Sequence, residues 1–166
     1  MNLPEETKRI TLEYIKTGYE CYHKLLKYIN GDMKGNLDLS NTKVSYIPKG
    51  LKVGGNLDLY KTPITSLPKD LTVGGFLNLY NTPITSLPKD LKVGDDLDLE
   101  NTDITTLPED LNVGKDLYLG NTPITSLPEN LKVGKDLYLG NTPINEKYTI
   151  QELKQMLPNV KGEIYI

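Results

Sequence analysis

The sequence predicts an α/β solenoid, a coil of short turns whose strands stack into one parallel sheet, with a helical cap at the amino terminus and a short helix near the carboxyl terminus. Three observations predict it. A block recurs every twenty residues through most of the 166-residue chain, each copy carries two leucines two positions apart, and both ends abandon the block for apolar residues at helical spacing.

The plainest markers are Leu57, Leu77, Leu97, Leu117 and Leu137, each followed by Leu59, Leu79, Leu99, Leu119 or Leu139. A pair of leucines with one residue between them calls for a short strand that turns both side chains to one face. Downstream come Thr62 and Ile64 and their equivalents, then Leu67-Pro68, Leu71, Val73 and Gly74. Six apolar residues per turn are therefore expected inside, each worth about 1.5–3 kcal/mol when buried, and stacking is what encloses them. A divergent first copy runs through Leu37, Leu39, Thr42 and Val44, so six copies span Gly35 to Ile144. Gly54, Gly74, Gly94, Gly114 and Gly134 hold one position throughout, which calls for positive φ or close backbone approach. Pro63, Pro83, Pro123 and Pro143 suit an extended segment leaving the strand. A pentapeptide helix shares the period but would place Thr62 and Thr72 inside while leaving out Leu59, Ile64, Leu71 and Val73, and is set aside.

On Leu57, Leu59, Ile64 and Leu67-Pro68, the chain resembles the short, twenty-residue, Leu-Pro class of bacterial leucine-rich repeats found in secreted effectors and in phage and prophage proteins. The resemblance covers about two thirds of the chain and implies a non-catalytic intracellular binder of a host factor. Thr62 stands where that class has its ladder asparagine, with Asn41, Asn81, Asn101, Asn121 and Asn141 one residue earlier in the other turns, and Gly74 replaces a framework leucine. Either the asparagines or the threonines must satisfy the backbone of the turn.

Residues 1–34 read as the amino-terminal helical cap, 35–146 as repeats and 147–166 as a second cap, all within one structural domain. From Pro4 to Ile29, residues such as Leu12, Ile15, Tyr19, Tyr22, Leu25 and Leu26 follow helical spacing; Asn2 and Glu5 form a capping box, Asn30-Gly31 a stop, and Gly18 a place to break the helix in two. Thr149 and Glu152 form a second capping box before Ile150, Leu153, Met156 and Leu157, with a stop at Pro158. Ile164 and Ile166 then repeat the leucine pair, which predicts a seventh, edge strand.

Charged residues make up 25% of the chain at a net charge of −3, which gives no basic surface for direct nucleic-acid binding. A single cysteine, Cys21, excludes an internal disulfide framework and a thiolate metal cluster, and no apolar run is long enough to span a membrane. A soluble, cytoplasmic protein without cofactor is expected.

Outward residues of the paired-leucine strands form three columns along the coil. The first is Asn36, Asn56, Phe76, Asp96, Asp116 and Asp136; the second is Asp38, Asp58, Asn78, Asp98, Tyr118 and Tyr138; the third is Ser40, Tyr60, Tyr80, Glu100, Gly120 and Gly140. Seven of these eighteen positions are acidic, five are aromatic and none is Lys or Arg, which makes a protein with a basic surface the expected partner. The candidate contact residues are Asp58, Tyr60, Phe76, Tyr80, Asp96, Asp98, Glu100, Asp116, Tyr118, Asp136 and Tyr138. A column of like charges such as Asp96, Asp116 and Asp136 costs stability unless something offsets it. The competing explanation is a solubilising face on which tyrosine merely suits strands and Lys115 and Lys135 screen the acids.

Other features carry less chemistry. Cys21 and His23 project from different sides of the amino-terminal helix, so they read as packing and surface residues rather than a nucleophile and base, and no catalytic centre is expected. A divalent cation between Asp96, Asp98, Asp116 and Asp136 is a weaker alternative. So are an acidic nucleic-acid mimic that blocks a DNA-binding protein and a role in self-assembly through the edge strand or amino-terminal helix.

Overall fold

The alternation of inward leucines and outward polar residues produces a strand in every copy of the repeat. The computed structural model describes residues 20–166. Six strands from the repeats, β1 (Leu37–Asp38), β3 (Leu57–Asp58), β5 (Leu77–Asn78), β7 (Leu97–Asp98), β9 (Leu117–Tyr118) and β11 (Leu137–Tyr138), are followed by β12 (Ile164–Tyr165). They pair in parallel in that order as a seven-stranded sheet, with Leu57 beside Leu77 and Leu137 beside Ile164. The seventh strand is the one expected from Ile164 and Ile166.

A second sheet was not foreseen. The half-turn after the Leu-Pro pair contains β2 (Lys52–Val53), β4 (Thr72–Val73), β6 (Lys92–Val93), β8 (Asn112–Val113) and β10 (Lys132–Val133), five strands in parallel register. Lys52, Lys92 and Lys132 therefore sit on strands and point away from a core that receives Leu and Val on either side.

Between the two sheets lies a continuous column of Leu, Ile and Val. Leu57, Leu59, Ile64, Leu71 and Val73 are at most 1% exposed and the pattern repeats in each turn, with Leu127 partly buried. The threonines resolve the question of the turn: the Thr62 hydroxyl is buried and donates to the Leu59 carbonyl at 2.7 Å, as Thr82, Thr102 and Thr122 do to Leu79, Leu99 and Leu119. The asparagines serve the backbone instead. Asn41, Asn81, Asn101, Asn121 and Asn141 take φ of 54–57°, a left-handed conformation that asparagine tolerates better than most residues, and Lys61 takes φ 53° in the one turn without asparagine. Close approach, not positive φ, explains the recurrent glycine: a Cβ on Gly74, Gly94, Gly114 or Gly134 would strike the carbonyl oxygen of the equivalent glycine one turn earlier.

Both ends of the column are covered within the described residues. Helix α1 (Glu20–Ile29) stops before Asn30-Gly31, buries Tyr22 and Leu25, and sets the Tyr28 hydroxyl 2.6 Å from the Met33 carbonyl while accepting from Gly54 N–H at 3.3 Å. The expected Asn2–Glu5 capping box, the apolar residues Leu12, Ile15 and Tyr19 and the break at Gly18 lie outside the described residues. At the other end a 3-10 turn (Pro143–Glu146) precedes α2 (Ile150–Met156), whose Thr149–Glu152 capping box forms in both directions. The last segment then extends both sheets, through β12 on the first and a Val133–Val160 bridge on the second.

Candidate functional site

The first sheet holds the three predicted columns on its outer side, and each column is ordered by a different bond. In the first, the side chain of one turn accepts from the backbone of the next: Asn56 N–H donates to Asn36 Oδ1 at 2.9 Å, Phe76 N–H to Asn56 Oδ1 at 2.9 Å, Asp116 N–H to Asp96 Oδ1 at 3.0 Å, Asp136 N–H to Asp116 Oδ1 at 2.9 Å and Glu163 N–H to Asp136 Oδ1 at 2.8 Å. These charge-assisted bonds offset the repulsion expected of the stacked aspartates. Phe76 has no acceptor to offer and interrupts the ladder.

In the second column the acceptors close the turn that ends the strand. Asp58 Oδ1 accepts from Tyr60 N–H, Asn78 Oδ1 from Tyr80 N–H and Asp98 Oδ1 from Glu100 N–H, at 2.9, 3.0 and 2.9 Å. Burial pushes the Asp98 carboxyl up to about 6, against the pull of the Glu100 N–H, with the charges of Glu100 and Asp58 adding to the rise. The Ser40 hydroxyl and N–H hold Asp38 below its ordinary value, helped by Lys24, despite some burial. From Tyr118 onward the column is aromatic. Tyr118 stacks on Tyr138 at 4.6 Å and 8°, and Tyr138 on Tyr165 at 4.8 Å and 9°. Burial, reinforced by Asp116, pushes the Tyr118 hydroxyl up to about 12.

The third column is more open. Tyr60 and Tyr80 lie 5.5 Å apart at 41°, and Lys61 places its ammonium 5.0 Å from the Tyr60 ring centre. Glu100 follows, then Gly120 and Gly140. All eleven candidate residues thus share one face, with Tyr60 and Tyr80 in one pair, Tyr118 and Tyr138 in another, and Asp98 and Glu100 between.

Two residues of this face escaped the sequence reading. Tyr165 completes the ring stack, a place legible from the alignment of Ile164 and Ile166 with the leucine pairs. Lys61 brings a cation to a face whose columns contain none, which its sequence position beside the column did not announce. Lys115 pairs with Asp95 at 2.9 Å, and Asp96 and Asp116 are near enough for their charges to add to the rise in its ammonium pKa, so it does lend the aspartate column a countercharge. Among the described residues no three carboxylate, imidazole or thiol groups are placed to hold a metal ion, so the alternative of a cation between Asp96, Asp98, Asp116 and Asp136 finds no support. No helix among them is long and apolar enough to cross a membrane.

A known structure shares this architecture. A leucine-rich-repeat protein of Leptospira interrogans matches with a TM-score of 0.53 and 27% identity over 86% of this chain and 38% of its own. YopM from Yersinia enterocolitica matches with a TM-score of 0.44 and 18% identity over 74% of this chain and 32% of its own. The chain spans less than two fifths of either neighbour. No protein-family model matches, and no curated protein does. The fold is that of the leucine-rich-repeat solenoids.

Proposed function

We propose that this chain is a non-catalytic protein-binding module that engages a basic surface of its partner through the outer side of the first sheet. The observation that carries the reading is the order of that face. Its aspartates and asparagines are tied to backbone N–H groups and its tyrosines to one another, so a partner meets side chains that have already lost much of their freedom. No Lys or Arg occupies its three columns. Exposed tyrosine edges and half-buried carboxylates are a suitable ground for arginine and lysine. The resemblance to the repeats of secreted effectors and phage proteins supports a finer reading, an inhibitor or binder of a host factor acting in the cytoplasm.

Affinity capture from a cell extract tests this, with the native protein set against a variant carrying Asp96→Asn, Asp98→Asn, Tyr118→Ala and Tyr138→Ala. Asparagine keeps the Oδ1 acceptor at both acidic positions, as Asn56 and Asn78 do naturally, so charge is removed while the turn bonds stay. A protein captured by the native form and lost by the folded variant is the expected result. Equal capture by both would move the contact off this face.

A further inference from the structure

The tyrosines of the first sheet fall into two groups whose surroundings differ in what an oxidation depends on. Tyr60 and Tyr80 are tilted at 41° with ring centres 5.5 Å apart, and the Lys61 ammonium lies over the Tyr60 ring and donates to its hydroxyl. A cation in that place opposes loss of an electron from the ring. Tyr118, Tyr138 and Tyr165 are instead nearly parallel, with centres 4.6 and 4.8 Å apart, the separation of neighbouring strands. The Tyr138 hydroxyl donates to the Asp136 carboxylate, and the charge of Asp116 lies near. Tyr118 and Tyr138 are half-buried and Tyr165 is exposed, so ring edges reach solvent.

The second group is arranged for the coupling of phenols. A tyrosine that gives up an electron at neutral pH must give up its phenolic proton as well, and a carboxylate already bonded to the hydroxyl receives it without rearrangement. Part of the unpaired spin of the resulting phenoxyl sits on the carbons ortho to oxygen, in orbitals perpendicular to the ring. Stacked rings aim these orbitals at one another, and tilted rings do not. Adjacent turns of the coil hold the partners side by side, so their encounter is intramolecular.

We infer that Tyr118, Tyr138 and Tyr165 form an oxidative cross-linking site, at which Tyr138 couples to a stacked neighbour as dityrosine and staples two adjacent strands of the first sheet. The co-reactant is a one-electron oxidant of the peroxidase class with hydrogen peroxide. It takes one electron from each ring, while the Tyr138 proton leaves through Asp136 to water and the neighbour's proton leaves to water directly. A carbon–carbon bond then joins the two ortho carbons, and the hydrogens they carried move to the phenolic oxygens. One peroxide, with the two electrons and two protons, becomes two waters. The inference does not depend on what the face binds.

The test exposes the dilute native protein to a heme peroxidase and hydrogen peroxide and follows the blue fluorescence of dityrosine, with a denaturing gel to separate links within a chain from links between chains. Tryptic cuts after Lys132, Lys135 and Lys161 place Tyr118, Tyr138 and Tyr165 in different peptides, and cuts after Lys61 and Lys69 part Tyr60 from Tyr80, so mass spectrometry names the joined residues. Links from Tyr138 to Tyr118 or Tyr165 within one chain are expected, at least about tenfold above any link of Tyr60 to Tyr80. Tyr138→Phe keeps the ring and should abolish them, whereas Tyr80→Phe should leave them. Asp136→Asn keeps the acceptor for Glu163 N–H in the manner of Asn56 and should slow the reaction about tenfold or more. Absence of the links, their formation only between chains, their persistence in Tyr138→Phe, or an equal yield from Tyr60 and Tyr80 overturns the site. A native rate in Asp136→Asn overturns the part given to the carboxylate.

Discussion

Five of the six repeats contribute one strand to each of two parallel sheets, yet the two sheets are ordered from opposite directions. In the second, neighbouring turns meet through backbone: Gly94 N–H donates to the Val73 carbonyl at 2.9 Å, and the glycines that follow the strands approach so closely that no Cβ fits. Its outward positions, Lys52, Thr72, Lys92, Asn112 and Lys132, are free to vary because the stacking does not use them. In the first sheet the outward side chains themselves join one turn to the next, through carboxylates, amides and stacked rings. A face built in the second way presents fixed groups in fixed order, and such preorganisation lowers the entropy lost on binding. That contrast is the physical reason for placing function on the first sheet although lysine marks the second so visibly.

The sharpest way to break the comparison is to swap what each sheet tolerates. Gly94→Ala puts a methyl group into the Gly74 carbonyl oxygen, and the turns must separate to admit it. A loss of about 3 kcal/mol or more is expected in urea unfolding, against less than about 0.5 kcal/mol for Lys92→Ala two residues earlier. If the two substitutions cost the same, the second sheet is not held by backbone contact and the contrast fails.

A smaller effect concerns the buried acid of the first sheet. The folded-state value of Asp98 is raised to about 6, so folding disfavours its charged form. The cost is absent at low pH where the carboxyl is protonated folded or unfolded, grows as pH rises from about 4 to 6, and is complete above that. Asp98→Asn keeps the bond to Glu100 N–H in the manner of Asn78, removes the charge, and should stabilise the protein at pH 7 by about 1–3 kcal/mol while flattening that stretch of the stability profile. A variant no more stable than the native chain at pH 7 would show that Asp98 is well solvated in the folded protein.

What could be read from residues alone follows the same division. Six inward positions per turn, seven strands of the first sheet and the Thr149–Glu152 cap were all legible, because periods of 2 and 3.6 and a three-residue cap spacing are local properties. The second sheet was as plainly written, in Leu51-Lys52-Val53 and Leu71-Thr72-Val73, but its strands are two residues long, and one inward pair per turn does not distinguish a strand from an extended connection. The aspartate column was recognised as a charge problem, whereas its solution depends on the height of one turn relative to the next, which brings Asp96 Oδ1 to the N–H of Asp116 twenty residues on. Periodicity says that turns stack; it does not say which atoms then meet.

The smallest test concerns the turn by which the chain leaves the first sheet. Asparagine occupies the left-handed position in every repeat but one, where Lys61 holds φ 53°. A lysine side chain strains that conformation by about 1 kcal/mol, a cost asparagine largely avoids. Against this, the Lys61 ammonium lies over the Tyr60 ring, a contact worth about 0.5–1 kcal/mol when exposed. The two nearly cancel, so Lys61→Asn is expected to move the melting temperature by no more than a few degrees. Its effect on the face should be plainer: with the cation gone from Tyr60, the ring becomes available to an arginine of a partner, and capture by the native face should strengthen. If Lys61→Asn instead weakens capture, the lysine is itself a contact, and the partner's surface must carry an acidic group opposite the amino-terminal turns.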